Sequence, residues 1–206
     1  VTPTKYFSDA GLLDCHTVAA HCVWLSDEDM DILSEKKTVA VHNSVSNLKL
    51  ASGVANVPKM LEKGIKIALG TDGCSSNNNL DMFEEIKICA ILNKGVRYDP
   101  TAVSPRDALL FATKNGAAAQ RREDCGAVTL GNKADLIVLD ASHPSLQPVH
   151  SAVNNAVYAA CGRDVALTMI DGKVVYENGE FKTIDIERTI FEVCKSKDRI
   201  AGELSV

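Results

Sequence analysis

Three times between Leu12 and Gly116 a short apolar run is followed by a loop and then by an amphipathic stretch. This strand, loop, helix rhythm restricts the chain to a parallel sheet covered by helices. The strand candidates are Thr17 to Val23 (TVAAHCV), Thr38 to Val41 (TVAV) running into His42, and Ile65 to Leu69 (IKIAL) running into Gly70, Thr71 and Asp72. Each has the continuous apolar pattern of a buried strand. The helix candidates are Ser26 to Lys36, opened by the pair Ser26 and Asp29; Val54 to Glu62, closed by Gly64; and Leu80 to Lys94, closed by Gly95. A fourth helix starts at Ser104 as N-cap, with Pro105 at the first helical position and Asp107 in the first turn, and is expected to reach Ala119.

Near residue 125 the rhythm changes, which marks a domain boundary. Ala134 to Asp140 (ADLIVLD) reads as a strand, and Val165 to Phe181 contains two turn signals, Asp171-Gly172 and Asn178-Gly179, each flanked by strand-like residues. Ile186 to Leu204 offers a closing amphipathic helix with apolar Ile190, Val193 and Ile200, expected to pack back on the rest. Hydrophobic residues at 46% and charged residues at 24% are those of an ordinary globular protein. A formal charge of -5 argues against nucleic acid or an anionic membrane as a partner and favours a small molecule. The seven cysteines form no CxxC pair, so neither a disulfide framework nor a zinc knuckle is expected, and the location expected is cytoplasmic. No apolar run approaches the roughly 18 residues of a membrane span. A start at Val1 rather than methionine hints at absent upstream sequence.

Barrels of the (β/α)8 type place their chemistry on polar residues at the carboxyl ends of parallel strands, where His21, His42 and Asp72 stand. His21 lies in an otherwise apolar run, so it is either a core histidine with a satisfied partner or a functional group. Asp72, between Gly70 and Gly73, is either a helix N-cap or a metal ligand or general base. The stretch Gly70 to Asn79 (GTDGCSSNNN) fits neither phosphate-binding glycine pattern and reads as a tight catalytic loop. Cys74 lacks a paired histidine in the local sequence, which disfavours a cysteine nucleophile. Lys49 reads as solvent-facing or loop-bracing, and Trp24 as a packing residue near the pocket rim.

The runs AHCVWL (Ala20 to Leu25), HNSVSNLKLASG (His42 to Gly53), LGTDGCSSNNNLDMFEE (Leu69 to Glu85) and GNKADLIVLD (Gly131 to Asp140) follow one another in this order. Together they resemble the amidohydrolase superfamily, in the branch of 5'-methylthioadenosine/S-adenosylhomocysteine deaminases, with guanine deaminases and triazine chlorohydrolases nearby. The resemblance covers Leu12 to about Asp185 and is more specific for the superfamily than for the substrate. It implies an α/β fold in which residues 1–124 form the last part of a (β/α)8 TIM barrel, strands six to eight with their helices. Residues 125–206 would then be the C-terminal part of a small β-sandwich and the closing helix.

The same resemblance implies the roles. Asp72 would be the direct ligand of one divalent metal, zinc with iron or manganese as alternatives, and would shuttle the proton of the attacking water. His21 would be catalytic and substrate-binding, beside that water and the leaving group, while His42 and Ser76 would line the substrate pocket. Hydrolytic deamination of a purine needs hydroxide at neutral pH, which zinc supplies by lowering the pKa of water to about 7. Family members also carry an HxH pair, a third ligand histidine and a glutamate in an HxxE context. None is found in this sequence, whose remaining histidines are His16, His143 and His150. Catalytic zinc takes three protein ligands plus water, so the chain alone is expected to bind metal weakly and to be inactive. Too few strands to close a barrel leave open edges, from which a homo-oligomer or association through those edges is expected. The function expected is that of a fragment of a metal-dependent deaminase of purine-type compounds; the alternative is a non-catalytic binding or assembly subunit that needs a partner chain.

Overall fold

Three parallel strands, β1 (Val18–Ala20), β2 (Val39–His42) and β3 (Ile67–Leu69), lie side by side in that order. The computed structural model describes residues 1–204. Ala40 pairs with Ile67, Val41 with Ala68 and His42 with Leu69. Paired residues of parallel strands share a face and neighbours along a strand alternate, so this register sorts the side chains. Ala40, Ile67 and Leu69 join Met30, Leu33, Val57, Met60 and Ile86 in the main core, whereas Val39 and Ala68 pack with Ala119 and Val41 on the opposite face. β1 stops earlier than its apolar run because His21 and Cys22 leave the extended region, with φ of +69° and +49°.

The helices begin where their caps dictate. α1 (Pro3–Asp9) is capped by Thr2. α2 (Asp27–Glu35) has a reciprocal capping box: the Ser26 hydroxyl accepts from the Asp29 N–H at 3.1 Å, and the Asp29 carboxylate accepts from the Ser26 N–H at 3.0 Å. α3 (Ser44–Lys49), unforeseen in the sequence, follows β2 directly. α4 (Val57–Glu62) starts later than expected because Asn56 is its N-cap, accepting from the Lys59 N–H. α5 (Cys74–Asn77) is a single turn, and α6 (Met82–Arg97) is capped by Asp81. α6 runs through Gly95, its expected stop, and ends only at Tyr98, which turns left-handed with φ of +54°. The helix expected from Ser104 to Ala119 is two: α7 (Pro105–Ala112) and α8 (Lys114–Ala119). They break at Thr113, whose hydroxyl donates back to the Leu109 carbonyl at 2.7 Å.

Two compact units result, one of residues 1–132 and 141–164, the other of residues 133–140 and 165 onward. The chain returns to the first unit because α9 (Ala152–Tyr158) packs on α6 and α7, with Val157 fully buried. In the second unit β4 (Leu136–Leu139), β5 (Val165–Ile170), β6 (Lys173–Glu177) and β7 (Glu180–Phe181) form an antiparallel sheet in sequence order. Its two tight turns are the ones read from the sequence: Asp171-Gly172 and Asn178-Gly179 have positive φ at both positions, which suits the right-handed twist of the flanking strands. The last helix, α10 (Ile186–Leu204), has the expected limits. All its residues are exposed, including Ile190, Phe191, Val193 and Ile200. Among the described residues no helix is long and apolar enough to cross a membrane.

Ile67 is fully buried at the centre of the parallel sheet, whereas Ile190 is 57% exposed. Ile67→Ala should lower unfolding free energy by about 2 to 5 kcal/mol in urea titrations. Ile190→Ser should change it by no more than about 0.5 kcal/mol.

Candidate active site

The carboxyl edge of the parallel sheet gathers the polar residues. The His21 N–H donates to the Val41 carbonyl at 2.9 Å and to the Asn43 side-chain oxygen at 3.3 Å. The Asn43 amide nitrogen in turn donates to the Gly70 carbonyl at 2.9 Å, so one side chain ties the ends of all three strands. Gly70 is needed for this approach, because a Cβ there would stand 2.8 Å from the Asn43 amide nitrogen and 2.9 Å from Val41.

Asp72 and His21 come together above that edge, both half-exposed, with Asp72 Oδ2 4.0 Å from His21 Nε2. Asp72 has φ of +59°, a left-handed conformation that an aspartate adopts only at a cost and that its surroundings must hold. Its Oδ2 accepts from the Ser46 hydroxyl at 2.6 Å and from the Ser76 hydroxyl at 2.9 Å. The Ser46 hydroxyl, then that of Ser76 and the Gly73 N–H, hold the Asp72 carboxyl below its ordinary range, so the group is an anion at neutral pH. His21 Nδ1 lies 2.9 Å from the Asn47 side-chain oxygen, which leaves Nε2 as the ring atom facing Asp72.

Beneath this pair lies a buried layer that sequence reasoning missed. Glu85 of α6 has no exposed surface. It accepts from the Asn77 amide at 2.9 Å and from the Val45 N–H at 3.4 Å, and also from the Ser44 N–H. Burial pushes its carboxyl up, against the downward pull of these donors. The Asn77 amide also donates to the Thr71 carbonyl at 2.7 Å. The available signal was the polar run Asn43, Ser44, Ser46 and Asn47 directly after a buried strand; all four are buried.

The other sequence candidates fall differently. His42 is 1% exposed and, through its register with Leu69, lies on the face that the helices cover. Neither of its ring nitrogens has a hydrogen-bond partner among the described residues. The Ser76 hydroxyl has two acceptors within reach, Asp72 Oδ2 at 2.9 Å and the Gly73 carbonyl at 3.1 Å. Lys49 braces the loop, donating to the Ser75 carbonyl at 2.7 Å and to Asn78. Trp24, expected to pack, is 86% exposed and donates from its indole to the Ser52 carbonyl. Among the described residues no three His, Cys, Asp or Glu side chains are grouped so as to hold a metal.

Comparison with known proteins matches residues 1–175 to the Amidohydrolase family. A 5-methylthioadenosine/S-adenosylhomocysteine deaminase of Dictyoglomus thermophilum is 49% identical over 195 residues, 95% of this chain and 46% of that protein. A 5'-deoxyadenosine deaminase of Methanosarcina acetivorans is 49% identical over 194 residues, 94% of this chain and 45% of that protein. The chain thus spans about half the length of the curated relatives it matches. Among solved structures, an adenosine deaminase from Xanthomonas campestris with bound zinc superposes with a TM-score of 0.94 at 34% identity, covering 97% of this chain and 46% of that one. The atrazine chlorohydrolase TrzN from Arthrobacter aurescens TC1, complexed with zinc, gives 0.88 at 23% identity over 95% of this chain and 44% of that one, which shows a shared fold.

Burial lowers the His42 pKa from 6.5 to about 4, so the folded protein keeps this ring neutral where the unfolded chain protonates it. Stability should therefore rise with pH between about 4 and 6.5, the loss at the acid end approaching about 3 kcal/mol. His42→Phe, which forfeits no hydrogen bond, should flatten that slope in denaturant titrations at stepped pH; an unchanged slope assigns it to other groups.

Proposed function

The chain belongs to the amidohydrolase family, and from that premise we propose that it carries the carboxylate and imidazole portion of a site for hydrolytic deamination of purine-type compounds. The observation that carries this reading is the meeting of Asp72 and His21, from two different strands, above the carboxyl edge of one parallel sheet. Two relatives named as deaminases of adenine-containing compounds, each 49% identical, support the substrate class. In this reading β1 to β3 are strands six to eight of a (β/α)8 barrel, and β4 to β7 belong to the small β-sandwich beside it. Among the described residues β1 has β2 as its one neighbour, so a strand from elsewhere in a longer polypeptide or from a second chain would continue the sheet. Seven free thiols support a reducing, cytoplasmic setting.

Asp72 suits metal ligation, being anionic and fixed by two hydroxyls. The fit is partial, because zinc in hydrolases takes three protein ligands and the described residues supply this carboxylate with one imidazole nearby. Donors from outside these residues are required, and the chain alone should bind the ion weakly. When bound, a divalent cation supplies hydroxide near neutral pH. The chain's own residues do the rest. Asp72 is placed to accept a proton from the attacking water and return it to the leaving nitrogen, while Ser46 and Ser76 hold Oδ2 in place. His21, turned by Asn47, offers Nε2 to a small oxygen species between itself and Asp72.

The test uses the full-length enzyme that contains this chain, with ammonia release followed from methylthioadenosine, S-adenosylhomocysteine, adenosine and guanine. Asp72→Asn should lower the rate roughly 10³-fold or more, the range for loss of a positioned proton acceptor. Ser46→Ala, which leaves Ser76 on the carboxylate, should cost roughly tenfold. A near-normal rate in Asp72→Asn would remove the carboxylate from the mechanism.

A further inference from the structure

We propose that Glu85 is the positioning residue of this site, a buried anchor that sets Ser46 against Asp72 by holding both of their loops at once. The role rests on the reading of Asp72 as the catalytic carboxylate. Glu85 stands on α6, 40 positions from Val45 and eight from Asn77, and its carboxylate meets both segments. On one side it takes the N–H groups of Ser44 and Val45, the first turn of α3, whose next residue is Ser46. On the other it takes the Asn77 amide, which also binds the Thr71 carbonyl immediately before Asp72.

The magnitudes favour a fixed clamp over an incidental contact. Glu85 and Ser44 have no exposed surface, and Asn77 is 6% exposed. A buried N–H group left without an acceptor loses its hydration with nothing in return, and the loss is larger for an unpaired carboxylate. Letting go of either loop therefore strands partners on both sides. The donors also define their own orientation. Both acceptors of the Asn77 nitrogen are oxygens, and its side-chain oxygen accepts from the Asn79 N–H at 3.3 Å, so the amide cannot be reversed. Among the described residues no other carboxylate is buried beside these segments: of the buried acidic residues, Asp29 accepts from the Ser26 N–H at the start of α2 and Asp164 from the Cys161 N–H. Helix propensity does not explain the residue, since Glu85 turns inward on α6 while Glu84 bonds Asn79 near the surface.

Amide hydrogen exchange of the 206-residue chain tests the clamp without metal or substrate, so its outcome is independent of whether the deaminase reading stands. Glu85→Gln presents an N–H group to its former donors and should speed exchange at Ser44 and Val45, and at Ser76, Asn77 and Asn78 of the Asp72 loop, at least tenfold. Amides of the β5 and β6 hairpin should be unchanged. Asn77→Leu should loosen the Asp72 loop alone and leave Ser44 and Val45 protected. A uniform rise in Glu85→Gln, or none at Ser44 and Val45, overturns the proposal. If Glu85→Gln does not fold, Asn77→Leu decides: exchange unchanged at Ser76 to Asn78, or raised equally at Ser44 and Val45, overturns it. In the full-length enzyme the matching signature is a kcat about tenfold lower in Glu85→Gln with KM held, whereas general loss of structure would lower the amount of active enzyme and leave kcat per active site intact.

Discussion

Asn43 makes one hydrogen bond to the His21 main chain and one to the Gly70 main chain, and the geometry of the site depends on that double contact. Parallel strands end in ragged backbone groups, and a buried one without a partner costs about 1 to 3 kcal/mol. Asn43, itself 4% exposed, satisfies the Gly70 carbonyl and adds a second acceptor to the His21 N–H, which also bonds the Val41 carbonyl. The first and third strands, which do not touch, are thereby held at a fixed offset. His21 and Asp72 leave those strands with left-handed φ, and the offset brings their side chains to 4.0 Å.

Reactive groups and supporting groups are segregated. Asp72 and His21 face solvent, while Asn43, Ser46, Asn47, Asn77 and Glu85 form a buried polar layer beneath them. The low dielectric strengthens each bond of this layer and raises the penalty for a missing one, which here falls on the Asn47 amide nitrogen, buried without a partner among the described residues. Through Ser46 the layer fixes the Asp72 carboxylate in place. A ligand set does not follow from it, and the sparse donor inventory around Asp72 agrees with a chain that spans less than half of its relatives' length.

The second unit illustrates how local chemistry and packing part company. Its turns and helix limits were legible residue by residue, since Asp171-Gly172 and Asn178-Gly179 admit the positive φ that a two-residue hairpin demands. The amphipathic pattern of α10 is equally plain, yet its apolar residues stay exposed. Periodicity reports that a face wants burial; it carries no information about what covers it. The same limit explains Gly95, read as a stop and found inside α6, and Thr113, whose side-chain bond to Leu109 splits a helix that propensity alone would continue.

What the amino-acid order determined by itself was local: strands from buried runs, helix starts from the Ser26 and Ser104 capping boxes, hairpins from their glycines, and the candidacy of His21 and Asp72 at strand ends. The tertiary structure alone decided which of three strand-end residues meet. His42 looked equivalent to His21, but a strand alternates its faces, and the register with Leu69 turned His42 under the helices while positive φ turned His21 and Asp72 out of their strands. Ser46 and Glu85 were silent for the same reason: Ser46 meets Asp72 across 26 positions, and Glu85 joins Asn77, eight positions away, to Val45, 40 positions away, and such distances are closed by packing.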